Sequence, residues 1–228
     1  MAANLIQRLQ NRLAYQFREP ALLSQALTHR SASARNNERL EFLGDALVNF
    51  VIAEALYRQR GDAEEGALSR LRASLVREET LALLATKLEL SEVLTLGESE
   101  LKSGGFRRHS ILADAFEAVL GAIYLDGGFA AAADVCRRLF EELLGQLPDA
   151  DSLKDAKTRL QEWLQARQRP LPRYEVLSEE GPPHERRFAV RASLADGSHS
   201  AEATGRSRRG AEQDAARALL QVLENADA

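Results

Sequence analysis

Apolar residues recur every three or four positions through the first two thirds of the chain, in LIQRLQNRLAY, PALLSQALTH, GALSRLRASLVREETLALLATKLEL, ILADAFEAVLGAIYLD and AAAADVCRRLFEELLGQL. That period belongs to the α-helix, on which residues three and four apart share a face. Breaks fall at Pro20, Gly61, the Gly97 to Gly105 loop and Gly127-Gly128, and strand-like alternation is hard to find before Pro148. The pattern predicts an all-α domain over residues 1–147. A polar, proline-bearing stretch beginning PDADSL, residues 148–153, reads as a linker. From 154 to 228 the period changes: DAKTRLQEWLQAR is helical, RYEVLSEEG, ERRFAVRASLADG and SHSAEATG alternate between turns, and SRRGAEQDAARALLQVLE closes as a helix. This second part predicts a small α+β unit, α-β-β-β-α, with both helices on one face of an antiparallel sheet.

One segment, NNERLEFLGDALVNFVIAEAL at residues 36–56, carries more than a helical stripe. As a helix it lines up Leu40, Leu43, Leu47, Val51 and Ala55, and places Glu38, Glu41 and Asp45 within roughly 60° of one another beside them. Farther along, the acidic face becomes Val48, Ile52 and Leu56, so the later half of the helix is apolar on two sides and the carboxylates stand at the mouth of a core. Like charges at this spacing repel by about 0.2–0.5 kcal/mol per pair, and more when partly buried, so a cation is expected there. Gly44 lies between the acids, where a poor helix former leaves room for close approach.

Charge and cysteine content narrow the field. The formal net charge is −4, but its distribution matters more: 17 basic and 22 acidic residues up to 153, then 13 and 12, with Arg206, Arg208 and Arg209 clustered. The single cysteine, Cys136, excludes an internal disulfide framework and a multi-cysteine zinc site. Neither a positive-then-apolar start nor a run of about 18 apolar residues is found, so a cytoplasmic location without a membrane partner is expected.

A second acidic pair, Asp114 and Glu117, lies three apart on HSILADAFEAVLGAIYLD, with Gly121 one turn farther on and Ser110 placed to cap the helix. If this helix packs beside the first, Glu41, Asp45, Asp114 and Glu117 converge. An all-oxygen set selects a hard cation, Mg²⁺, which keeps waters and accepts a phosphate oxygen, and phosphodiester chemistry follows. On spacing alone, a helical nucleotide pyrophosphohydrolase remains open.

NERLEFLGDALVNFVIAEALY at 37–57 resembles the signature of the bacterial ribonuclease III family, as do LTHRSAS at 27–33 and GESELKSGGFRRHSILADAFEAVLGAIYLD at 97–126, ahead of what resembles a double-stranded-RNA-binding domain. The resemblance implies a homodimer that hydrolyses double-stranded RNA to 5′-phosphate and 3′-hydroxyl ends with short 3′ overhangs, processing ribosomal precursors and other structured RNAs. It assigns Glu41, Asp114 and Glu117 to Mg²⁺, for which Mn²⁺ substitutes, and Asp45 and Glu117 to catalysis. Glu38 and Glu65 become supporting acids, Phe42 an interface aromatic, and Lys102, Arg107 and Arg108 RNA contacts near the cation. His29 reads as structural, because a cation-activated water needs no histidine.

Duplex RNA is recognised by shape, 2′-hydroxyls and phosphates rather than base edges. By the same resemblance Thr158, Gln161 and Glu162 face one minor groove, His184 in the GPPH turn reaches the next, and Arg208 and Arg209 meet phosphates at a helix N-terminus. Gly210 follows those arginines where the family is often richer in lysine, and Trp163, on the other side of its helix from Gln161, reads as core.

Overall fold

The computed structural model describes residues 2–148, 154–182 and 185–226. The chain divides into two compact units, residues 1–150 and 151–228. The expected linker at 148–153 lies, apart from Pro148, outside the described residues.

The first unit is helical, as the period predicts: α1 (Ala2–Leu13), α2 (Pro20–Ala26), α3 (Glu38–Gln59), α4 (Glu65–Leu75), α5 (Glu78–Lys87), α6 (Glu98–Lys102) and α7 (His109–Gly145). Pro20 opens α2, where a missing N–H costs nothing. The expected helix over 66–90 is two: the backbone is extended at Arg77 (φ −71°, ψ 155°) and α5 restarts on Glu78 and Glu79. No glycine or proline marks that break; the two acids suit the positive end of the new helix. Ser110 is not the cap of α7, since Arg108 takes that position and Ser110 lies inside the first turn. Gly128 interrupts α7 with φ 82° and ψ 177°, a conformation that a side chain would oppose.

α3 packs chiefly on α7. Val48, Val51, Ile52 and Leu56 are completely buried there, as the two-sided apolar pattern predicts, each contributing about 1.5–3 kcal/mol of transfer free energy. By length and composition α7 could also cross a membrane, although the sequence holds no unbroken apolar run of that length; half of its most apolar stretch is buried inside the unit. Cys136 is among the buried side chains.

The two helices touch through glycine. A Cβ on Gly44 would stand 1.9 Å from the carbonyl oxygen of Glu117, and one on Gly121 2.3 Å from that of Leu40. Backbone therefore meets backbone at this crossing, and it sets how near the acids of α3 and α7 come.

The second unit runs α8 (Ala156–Ala166), β1 (Arg173–Glu180), β2 (Arg187–Ser193), β3 (Ser200–Gly205) and α9 (Arg208–Ala226). The sheet is antiparallel in the order β1-β2-β3, with an irregularity between Val176 and Ser178. Leu160 and Leu164 of α8, Val190 and Ala192 of β2, and Ala215 and Leu219 of α9 form its core, with Trp163 packed half-buried against it.

Candidate active site

Three carboxylates meet at the glycine crossing. One oxygen each of Glu41, Asp114 and Glu117 lies within 4.8 Å of the others, a group able to hold a metal ion. Asp45, one turn past Glu41, is exposed and outside that group; its Oδ1 accepts from Asn49 Nδ2 at 2.8 Å. The helical pattern placed four acids at one point, and the structure brings three together with Asp45 beside Glu117.

Their electrostatics match the crowding. Burial, then the charges of Asp45, Asp114 and Glu41, push the Glu117 carboxyl up to about 8. Burial and then Asp114 raise Glu41. Asp114 is raised mainly by burial, partly offset by His29. The folded protein thus keeps a proton on Glu117 that the unfolded chain releases near 4.5. Between those values the unfolded state binds fewer protons, so the site's contribution to the stability of the cation-free protein falls as pH rises from about 4.5 to about 8. Thermal unfolding across that range in a chelator should show this decline, and Glu117→Gln should flatten it. A divalent cation must displace the same protons, so its affinity should rise with pH and its binding release protons, measurable by calorimetry in buffers of differing ionisation enthalpy.

Beside the cluster lies a pocket of about 280 Å³ whose lining includes His29, Arg30, Asn37, Glu38, Glu100 and Arg108. Glu38 is exposed, 3.4 Å from Arg30 Nη1. His29 lines this pocket, with Ser31 Oγ 2.8 Å from its Nδ1. Arg108 reaches the pocket and pairs with Glu100 at 3.3 Å. Lys102 and Arg107 do not line it: Lys102 stays in solvent 3.6 Å from Glu98, and the Arg107 guanidinium lies over the Phe106 ring. Glu100 escaped the sequence reading, although it lies within the quoted loop motif three residues from Ser103.

Asn37 also escaped it. Its side chain is 2 % exposed, and its Nδ2 is sealed from solvent without a hydrogen-bond partner. Such a group costs about 1–3 kcal/mol when left unpaired. Its backbone is fully used, N–H to the Thr28 carbonyl at 2.9 Å and C=O from the Glu41 N–H at 2.8 Å.

Glu65 is elsewhere. It is the first residue of α4, accepts from Ser69 Oγ at 2.8 Å, and lines an apolar recess with Phe50, Tyr57 and Leu68. Phe42 is 80 % exposed and so does not belong to this unit's own core. Phe50, Tyr57, Leu125 and Phe129 are exposed too, with Phe50 and Phe129 edge to face at 5.7 Å.

In the second unit, Gln161 and Glu162 are exposed on α8, and Glu162 pairs with Lys154 at 2.7 Å. Thr158 commits its N–H and hydroxyl to Asp155, the cap of α8, at 2.9 and 3.1 Å. Arg208 and Arg209 are exposed at the start of α9, Arg208 held by Glu212 at 2.9 Å. Glu212 also accepts from Lys157 at 2.7 Å, which joins the first turns of α8 and α9. The Arg167 guanidinium covers the Trp163 ring at 3.9 Å. His184 lies outside the described residues.

A carboxylate centre on paired helices, joined in one chain to an α-β-β-β-α unit with arginines opening its last helix, defines a class of proteins that act on nucleic acid. Residues 19–143 match the family described as ribonuclease-III-like, and residues 156–223 the double-stranded RNA binding motif. The chain belongs to the ribonuclease III family. It is 56 % identical to ribonuclease 3 of Alkalilimnicola ehrlichii over 217 residues, covering 95 % of each chain. It is 53 % identical to that of Pasteurella multocida over 224 residues, 98 % of this chain and 99 % of that one. The nuclease domain of Campylobacter jejuni ribonuclease III, in a structure described for flexibility in a region involved in dimer formation, superposes with a TM-score of 0.59 at 43 % identity, covering 60 % of this chain and 96 % of that one.

Proposed function

We propose that this chain is a Mg²⁺-dependent endoribonuclease that hydrolyses both strands of double-stranded RNA as a homodimer in the cytoplasm, with ribosomal precursors and other structured transcripts as substrates. Its membership of the ribonuclease III family makes it a double-strand-specific endoribonuclease. The observation that carries the finer reading is the convergence of Glu41, Asp114 and Glu117 within 4.8 Å, with protons held high on all three.

The donor set is all oxygen and anionic, which suits a hard cation, Mg²⁺ or in its place Mn²⁺. When bound, the cation would supply positive charge to the phosphodiester oxygens and a more acidic water. Glu41, Asp114 and Glu117 hold it. Asp45, an exposed carboxylate beside Glu117, orients water for attack. Glu38 and Glu65 act as supporting acids. Arg108 fixes phosphate at the pocket, while Lys102 and Arg107 meet the backbone farther out. Residues 1–147 form the catalytic and dimerisation domain, and 154–228 hold the duplex through Thr158, Gln161, Glu162, His184, Arg208 and Arg209.

Cutting both strands needs two sites related by an axis that suits antiparallel strands, and a two-fold dimer supplies it. The 80 % exposure of Phe42 supports that assembly. Phe42→Glu should weaken self-association by about 30-fold or more, the effect of losing an interface anchor worth roughly 2 kcal/mol. Sedimentation velocity over a concentration series reads this out.

The reading as a whole is tested by incubating the chain with a long, perfectly paired RNA and Mg²⁺. Staggered products with 5′-phosphates, absent in chelator, are expected; an intact duplex bound in both conditions would make the protein a binder alone.

A further inference from the structure

In the second unit one carboxylate serves cations from two helices. Glu212, one turn into α9, is only 14 % exposed; its Oε2 accepts from Lys157 Nζ at 2.7 Å and its Oε1 from Arg208 Nε at 2.9 Å. Lys157 is committed inward, since its ammonium also lies over the Tyr174 ring, 4.3 Å from the centre. Gln213 repeats the join, accepting from the Lys157 N–H at 3.2 Å and donating to Asp155 Oδ1, on the cap of α8, at 3.1 Å. Ser207 Oγ accepts from the Gly210 N–H at 3.1 Å and fixes where α9 starts. The bond from Lys157 outweighs partial burial and, with that from Arg208, keeps the Glu212 carboxyl below its ordinary value, so it is an anion. Pinned by Lys157 on one oxygen, it is not free to swing away from Arg208 on the other.

Arg208 is gripped at mid-chain. Only its Nε reaches Glu212, and among the described residues its two terminal nitrogens meet no protein group. A guanidinium carries its donors on separate nitrogens in one rigid plane, so its edge can take a protein carboxylate while its tip takes a phosphate. We propose that Glu212 is a positioning residue for duplex RNA, holding Arg208 side-on so that its terminal nitrogens are presented, already ordered, to a backbone phosphate. Ordering a long side chain beforehand removes a loss otherwise met on association. The joins to α8 also fix this arginine relative to the groove-facing residues assigned to that helix. A lysine at 208 would carry its charge on the tip alone, where Glu212 and the phosphate compete for it.

This inference rests on the reading of the second unit as a duplex-RNA binder, which retention of a long duplex by the unmodified two-unit chain tests separately. The test is a double-mutant cycle in that chain, with affinity for the duplex measured over a salt series in chelator, where no cutting is expected. Arg208→Ala should weaken binding about tenfold and lower the salt slope by about one, the mark of one lost phosphate contact. Glu212→Gln should weaken it about fivefold with the slope kept, since Arg208 retains its charge and loses only its prior ordering. In the double variant the loss should match that of Arg208→Ala alone. Arg208→Lys leaves Glu212 in place and should lose nearly as much as Arg208→Ala; it carries the test if Glu212→Gln does not fold. Losses that add in the double variant would show that Glu212 acts on the fold and not through Arg208, and would overturn the proposal. Tighter binding by Glu212→Gln would overturn it too, making the carboxylate a competitor of the phosphate, and so would full affinity in Arg208→Lys. An unmodified chain that retains no duplex would overturn the binding reading and this inference with it.

Discussion

Glu117→Gln should leave duplex RNA bound and uncut, with cleavage at saturating Mg²⁺ reduced roughly 10³-fold or more. The substitution keeps the size of the side chain and replaces one of three carboxyl groups whose oxygens gather within 4.8 Å. A cation in such a site stabilises the reacting phosphate by several kcal/mol, and each 1.4 kcal/mol lost is a factor of ten in rate. Binding should survive because the groups proposed to hold the duplex belong to the second unit, whereas Glu117 belongs to the first. The fold should survive as well: a carboxyl pushed up to about 8 by burial and neighbouring acids is strained near neutral pH, and its neutral amide relieves that strain. Single-turnover cleavage beside a gel shift, each with unmodified and variant protein, separates the two effects. Undiminished cleavage would remove the carboxylate mechanism.

Gly44→Ala should be the most damaging single-methyl change in the first unit. The added Cβ would lie 1.9 Å from the Glu117 carbonyl oxygen, and a backbone atom cannot rotate away as a side chain can. Alanine improves helix propensity by about 1 kcal/mol, but overpacking commonly costs 1–3 kcal/mol and more where nothing yields. The steric effect wins, with a net loss of about 2–3 kcal/mol and a fall in melting temperature of roughly 5–10 °C. Relief requires α3 and α7 to part, which separates Glu41 from Asp114 and Glu117 and lowers cation affinity along with stability. Gly121→Ala should behave alike, since its Cβ would meet the Leu40 carbonyl at 2.3 Å. Gly61→Ala is the control, with nothing within 4 Å. Equal melting temperatures for all three variants would show that the crossing is not where the helices are held.

How much of this was legible in the sequence depends on the length scale involved. The helical period gave the first unit and the alternation gave the three strands, because both follow from which face is buried. The break before Glu78 was invisible, since Val76 and Arg77 carry no turn chemistry and only packing separates α4 from α5. Four acids looked convergent on a helical wheel, which shows angle and hides height. At 1.5 Å per residue, Asp45 stands about 6 Å farther along α3 than Glu41, so it comes beside Glu117 without joining the group of three. Lys102 and Arg107 shared a loop with Arg108, yet a loop's direction is set by what it packs on, and only Arg108 turns toward the acids. Asn37 could not be told from Asn36 by type; which of the two is buried is decided by packing.

Glu41 and Phe42 are consecutive on α3, about 100° apart around one helical turn. One points into the carboxylate cluster and the other into solvent. No hinge lies between the two. In a two-fold assembly built on Phe42, each cutting centre would therefore stand at a distance from the axis set by the girth of a helix. The stagger between the nicks on opposite strands then becomes a ruler length written in backbone geometry, one that changes in loops or tails would leave alone.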